Sequence, residues 1–149
     1  MPKLRTFLAL DSVERLASFE ALAALAVAQA LVRLVPPRRW RARFGAVAGN
    51  DQPDRIDAAN LTTIRIVRLA IARAARNLPT DPNCLPQALA ARRMLDRRGI
   101  RSSLFLGTSR SADAGPRFHA WLKVGGEWVT GMCDESRYAL LVPADAGTA

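Results

Sequence analysis

Two residue types that can break an amide bond together occur in this chain in a suggestive setting. Cys84 follows a proline-rich turn, Pro79-Thr80-Asp81-Pro82-Asn83, and opens a stretch with helical spacing. Backbone N–H groups are unpaired at a helix start, and the positive end of the helix dipole favours a thiolate there. Such a sulfur can attack a carbonyl, with its own N–H helping to hold the oxyanion that forms. His119 is the chain's single histidine. It lies in an alternating, strand-like segment with Trp121 two residues on, hence on the same face. A cysteine opening a helix, followed later by a histidine on a strand, is what a Cys–His acyl-transfer site requires. The alternative at each position is structural: a small buried thiol, and a hydrogen-bonded core imidazole.

An imidazole acting as base needs a third group to orient it and fix its tautomer. Asp134 is the nearest acid downstream of the hairpin that carries His119, and is the candidate orienter. Glu127, the Thr130 hydroxyl and a backbone carbonyl are the alternatives. Asn83, beside the nucleophile, fits a turn role better than an oxyanion contact. Cys133 fits a structural role. The ligand types Cys84, His119, Cys133 and Asp134 suit zinc, but their spacing matches no compact zinc motif, so no metal and no cofactor is expected.

The elements that must position these residues follow from pattern. Asp11 and Glu14 have capping-box spacing. Val13, Leu16, Phe19, Ala23, Val27, Ala30 and Leu34 then recur at three and four residues, predicting one apolar face of a helix stopped at Pro36-Pro37. Arg38 to Phe44, basic with Trp40 and Phe44 interleaved, reads as a short helix or turn. A second long helix is expected from about Asp54 to Asn77, with Leu61, Ile64, Val67, Leu69, Ile71 and Ala74 apolar, and Arg65, Arg68, Arg73 and Arg76 on a basic side. Gln87 to Arg98 continues the nucleophile's helix, which Gly99 ends. Beyond it the period changes. Ser103 to Gly107 is a short strand, 108–116 a polar loop, and Phe118 to Thr130 a hairpin turning at Gly125-Gly126. Tyr138 to Val142 is a further strand, and 144–149 a small-residue tail. Helices first and an antiparallel sheet afterwards predict an α+β fold.

The chain has 149 residues, half of them hydrophobic, which fits one globular domain spanning 1–149. Its helical part covers about 1–78 and its catalytic core about 79–143. Two cysteines are too few for a disulfide-built secreted domain. No signal-peptide pattern opens the sequence. The most apolar stretch, Ala21 to Val35, is broken by Gln29 and Arg33, so no membrane span is expected and the location is read as cytoplasmic. The formal net charge is +9, and all but two of the 22 basic residues are arginines. A solvated basic surface is the plain reading. A non-enzymatic nucleic-acid-binding module is the rival, but no nucleic-acid motif accompanies the charge.

The residues also carry a family resemblance. Ala75-Arg76-Asn77-Leu78-Pro79, Cys84-Leu85-Pro86-Gln87-Ala88-Leu89 and Leu95-Asp96-Arg97-Arg98-Gly99-Ile100 resemble the core of lasso peptide biosynthesis B2 proteins. So do Leu104-Phe105-Leu106-Gly107 and Phe118-His119-Ala120-Trp121-Leu122 with its Gly-Gly turn. The similarity spans about Ile64 to Leu141, and the helical start and Pro-Arg-Arg-Trp segment also resemble standalone members. The resemblance implies a transglutaminase-like, papain-like fold, with a nucleophile-bearing helix on a small antiparallel sheet. It implies a cysteine protease acting as leader peptidase on a ribosomally made lasso precursor peptide. A leader-binding B1 protein would act in trans, and an ATP-dependent lasso cyclase would be a further partner. A transglutaminase-like acyl transferase is the alternative within the same fold. Many members have an acidic residue just after the hairpin turn, where this chain has Thr130 and Gly131.

Overall fold

The computed structural model describes residues 5, 7–36, 38–39, 56–109, 115 and 117–141. Three helices come first: α1 (Ser12–Leu34), α2 (Ala58–Asn77) and α3 (Cys84–Asp96). Four strands follow: β1 (Ser103–Ser109), β2 (Phe118–Val124), β3 (Glu127–Thr130) and β4 (Tyr138–Leu140), with a 3-10 turn at Glu135–Arg137 before the last. The strands form one antiparallel sheet in the order β3-β2-β1-β4. This is the α+β architecture that the pattern predicts. Beyond Arg39, the basic-aromatic run lies outside the described residues, as do most of the polar loop after β1 and the 144–149 tail.

Local chemistry sets the ends of the elements. Asp11 caps α1, its Oδ1 accepting from the Glu14 N–H at 2.8 Å. The Glu14 carboxylate does not reach back to complete a capping box; it pairs with Arg73 of α2 at 3.5 Å. The second helix starts later than expected, at Ala58, because Asp57 takes the cap and accepts from the Asn60 N–H at 2.7 Å. The first strand runs two residues past Gly107, since Thr108 and Ser109 still find partners in β2 and β4.

The buried side of α1 differs from expectation. The core takes Ala17, Ala21, Ala24, Leu25 and Ala28, while Val13, Leu16, Phe19, Val27 and Leu34 stay exposed. Both sides of this helix are apolar, so periodicity identifies the helix but not its inner face. Close packing makes the choice. The alanine side lets the backbones of α2 and α3 approach, and larger side chains there would hold them apart.

The third helix lies at the centre. Ala88, Leu89, Ala90, Ala91, Met94 and Leu95 are buried, with α1 and α2 on one side and β2 and β3 on the other, and Arg93 and Asp96 face solvent. Leu104, Ala120, Leu122, Val124 and Val129 supply the sheet's side of this core, packed with Ile64, Val67, Ile71 and Leu25 from the other helices.

The asymmetry of α1 is measurable by denaturant unfolding. Leu25→Ala removes a fully buried side chain and is expected to cost about 2–5 kcal/mol. Leu16→Ala, on the exposed side, is expected to cost under about 0.5 kcal/mol. Equal losses would contradict the packing described.

Candidate active site

Cys84 is the first residue of α3, as the sequence predicts, half-buried and packed against the core. Asn83 takes the cap position but makes no side-chain hydrogen bond there. Pro86 has no N–H to satisfy, which suits the first turn of a helix. Gln87 braces the turn instead, its Nε2 donating to the Pro82 carbonyl at 2.7 Å. With no side chain capping α3, the N–H groups of Cys84 and Leu85 remain to meet a carbonyl oxygen brought to the sulfur.

His119 lies in β2, also as predicted. Alternation along the strand turns Ala120, Leu122 and Val124 towards the helices, and His119 and Trp121 to the opposite face. There the imidazole stacks on Trp121 at 5.8 Å between centroids and on Tyr138 at 5.3 Å, while Phe105 stacks on Trp121 at 5.6 Å. Gly107 makes the cluster possible. It faces His119 in the β1–β2 register, and a Cβ there would come within 3.1 Å of the Trp121 ring and within 2.9 Å of the Tyr138 Cβ. Glu135 fixes the indole, accepting from Trp121 Nε1 at 2.9 Å and pairing with Lys123 at 3.3 Å.

The partner of the imidazole is a main-chain group. His119 Nε2 lies 2.8 Å from the Gly131 carbonyl oxygen. A carbonyl only accepts, so Nε2 carries a proton, and in the neutral ring the lone pair is at Nδ1. Gly131 holds this carbonyl in place from a backbone that suits no other residue. Its φ is +71°, and an added Cβ would collide with the Ala120 carbonyl oxygen and come within 3.0 Å of Trp121.

Among the described residues no hydrogen bond or ion pair joins Cys84 to His119. Nor does the acid expected to orient the ring touch it. Asp134 caps the 3-10 turn, its Oδ1 accepting from the Ser136 hydroxyl at 2.6 Å and from the Ser136 N–H at 3.1 Å. These bonds hold its carboxyl below the ordinary carboxylate range. Glu127 faces away, towards Arg68 at 3.4 Å. The Thr130 hydroxyl is buried and finds no hydrogen-bond partner among the described residues. Of the four groups named from sequence, the backbone carbonyl is the one that meets the imidazole.

Residues 10–142 match the family model of the transglutaminase-like superfamily, and this span includes both Cys84 and His119. The chain belongs to the transglutaminase-like superfamily. No curated protein and no solved structure matches it. Three helices and a four-stranded antiparallel sheet are consistent with a transglutaminase-like fold, whose members include cysteine proteases and acyltransferases.

The two cysteines of this transglutaminase-like chain differ in chemistry. Burial and the neighbouring Glu135 and Asp134 charges push the Cys133 thiol up, so it stays protonated and is a poor nucleophile. Cys84 sits instead at the first position of a helix, half-buried at the margin of the core. Among the described residues, no three His, Cys, Asp or Glu side chains come together as a metal would need, so the four-residue zinc alternative is not assembled.

Two NMR measurements check the site. Imidazole ¹⁵N shifts are expected to show the neutral ring of His119 protonated at Nε2; an Nδ1–H ring would contradict the Gly131 contact. Ser136→Ala is expected to return the Asp134 carboxyl towards the ordinary value of about 3.9. A depressed carboxylate stabilises the fold above its unfolded value, and that contribution is lost as pH falls through the folded value. The wild-type 3-10 turn should therefore persist to lower pH than the variant's.

Proposed function

We propose that this transglutaminase-like chain is a cysteine peptidase that removes the leader from a ribosomally made lasso precursor peptide. The observation that carries the proposal is the Nε2 bond from His119 to the Gly131 carbonyl, which leaves Nδ1 as a base. The combination of Cys84-Leu85-Pro86, Arg97-Arg98-Gly99-Ile100 and His119-Ala120-Trp121 supports the specific substrate, through its resemblance to lasso B2 proteins.

Proton transfer requires Cys84 Sγ and His119 Nδ1 within about 3.2 Å. Because the ring lies on the face of β2 turned away from α3, the reaction requires the first turn of α3 and the ring to come together round the margin of the sheet. In substrate-free enzymes such contacts are often longer and tighten when substrate binds. Nδ1 takes the thiol proton as sulfur attacks the scissile carbonyl. The N–H groups at the start of α3 hold the oxyanion. The imidazolium then returns its proton to the departing amine, which frees the core peptide and leaves the leader on sulfur as a thioester. Water, deprotonated by Nδ1, releases the leader and restores the thiol. The Gly131 carbonyl keeps the ring in the required tautomer throughout, so His119 is the base and Gly131 its positioning residue.

The leader-binding B1 protein delivers the precursor in trans, and the ATP-dependent cyclase takes the freed core. A reducing cytoplasm suits the enzyme, because Cys84 must remain a thiol.

Incubation of the chain with precursor and B1 protein, read by product mass, tests the proposal. Cys84→Ala and His119→Ala are each expected to lower leader removal by about 10³-fold or more, with unchanged circular dichroism. Asp134→Asn should stay within about threefold of wild type, because its carboxylate serves Ser136 and not the ring. Retained cleavage in either of the first two variants would overturn the assignment. A product heavier by an added amine would show acyl transfer in place of hydrolysis.

A further inference from the structure

The outer side of α1 is unusual for a helix in a small globular domain. Spacing at three and four sets Leu16, Phe19, Ala23, Val27, Ala30 and Leu34 in one stripe, about 27 Å long at 1.5 Å per residue. Leu16 is 69% exposed, Phe19 59%, Val27 52% and Leu34 81%. The short turn before the helix extends it: Phe7 stacks edge-on against Phe19 at 5.4 Å, and Leu8 is exposed. A contiguous patch of this kind marks an interaction surface, not ordinary surface composition.

The charges around the stripe say what covers it. Arg15 and Arg33 flank it on one side, five turns apart, and Arg5 precedes it while Arg38 and Arg39 follow it in the chain. None of these five arginines has an ion-pair partner among the described residues. The acids of α1 are directed into the protein instead, Glu14 to Arg73 and Glu20 to Arg97 and Arg98. The result is an uncharged apolar strip in a basic setting. A second copy of the chain would bring the same net charge of +9 and the same arginines against it, so pairing two stripes opposes like charges. An anionic bilayer supplies both complements at once, acyl chains for the strip and phosphates for the arginines.

We propose that α1 docks this chain on the surface of anionic phospholipid membranes, lying in the interface with its outer stripe among the upper acyl chains. It does not span. Ser12–Leu34 is long and apolar enough to cross a bilayer by composition alone. However, Ala17, Ala21, Ala24, Leu25 and Ala28 on its inner side belong to the protein core, and spanning would take the domain apart. Attachment is therefore peripheral and sensitive to salt. It is independent of the chemistry of Cys84.

Sedimentation of the full chain with vesicles tests this. Binding is expected with phosphatidylcholine vesicles containing phosphatidylglycerol, to fall about tenfold or more with phosphatidylcholine alone, and to weaken in high salt. Leu16→Glu, Phe19→Glu and Val27→Glu together should leave the chain in the supernatant with an unchanged circular dichroism spectrum. Should that variant fail to fold, Phe19→Ser with Val27→Ser is expected to weaken binding severalfold. Absence of binding to the phosphatidylglycerol vesicles overturns the proposal. So does undiminished binding of the folded variants, which would place the contact elsewhere on the basic surface. A dimer in sedimentation velocity, lost in the variants and unaccompanied by vesicle binding, would assign the stripe to a protein contact and also overturn it.

Discussion

Packing one helix between two others and a sheet is the constraint from which the rest of this molecule follows. The central helix α3 leaves only a narrow strip for polar residues, with Arg93 and Asp96 exposed and Arg92 half-buried, and packs against helices on one side and a sheet on the other. Alanines solve the spacing problem. Ala88, Ala90 and Ala91 let neighbouring backbones approach, while Leu89, Met94 and Leu95 fill the remaining volume. Alanine is also the best helix former, so close approach here costs nothing in propensity. The same logic selects the alanine side of α1 as its inner side and turns its larger residues outward. The first turn of α3 is partly open: Cys84 and Leu85 are half-buried and Asn83 is exposed. A rigid element thus carries the thiol to the margin of the core, where a substrate can meet it.

The sheet is equally two-sided, with different chemistry on each face. Towards the helices it is aliphatic. Away from them it carries Phe105, His119, Trp121 and Tyr138, joined by ring contacts made possible by the missing side chain at Gly107. The imidazole packs beside two aromatic rings that also touch each other, and the bond to the Gly131 carbonyl sets which nitrogen of the neutral ring carries the proton. Orientation and tautomer are thus fixed by packing and one main-chain acceptor. The acceptor depends on glycine at position 131, whose left-handed backbone a residue with a Cβ would not share.

How much of this was legible in the sequence depends on whether side-chain identity or backbone geometry carried the information. Asp11 announces the start of α1, Gly125-Gly126 the hairpin, and the alternation from Phe118 to Val124 a strand, because each feature is written in residue type. The placement of Cys84 at a helix start and His119 on a strand follows in the same way. The inner face of α1 was not legible, since hydrophobic periodicity cannot rank an alanine side against a leucine side when both are apolar. Asp57 could have moved the start of α2, because an aspartate before an apolar run is a capping signal in its own right. The partner of His119 was hidden for another reason. Every residue has a carbonyl, so nothing in the sequence marks the one that bonds the ring. The acids that drew attention, Asp134 and Glu127, are taken by Ser136 and Arg68. A glycine following a strand was the only trace, and many glycines merely turn a chain.

A carbonyl orienter has a consequence for the kind of nucleophile the imidazole can serve. An aspartate beside a histidine stabilises the imidazolium with a full charge; a carbonyl offers only a dipole. For a serine hydroxyl, whose proton is very hard to remove, the difference would be severe. A thiol ionises near pH 8.5 even unaided. Less stabilisation is then needed from the base, and the more demanding requirement becomes geometric: a lone pair at Nδ1 brought to the thiol. Substituting serine at position 84 would keep the shape of the nucleophile and remove this match, since neither the helix dipole nor a carbonyl-oriented imidazole supplies enough to ionise an alcohol. The pairing of sulfur with a main-chain orienter is therefore internally consistent, and explains how the proposed chemistry can proceed without an acid against the ring.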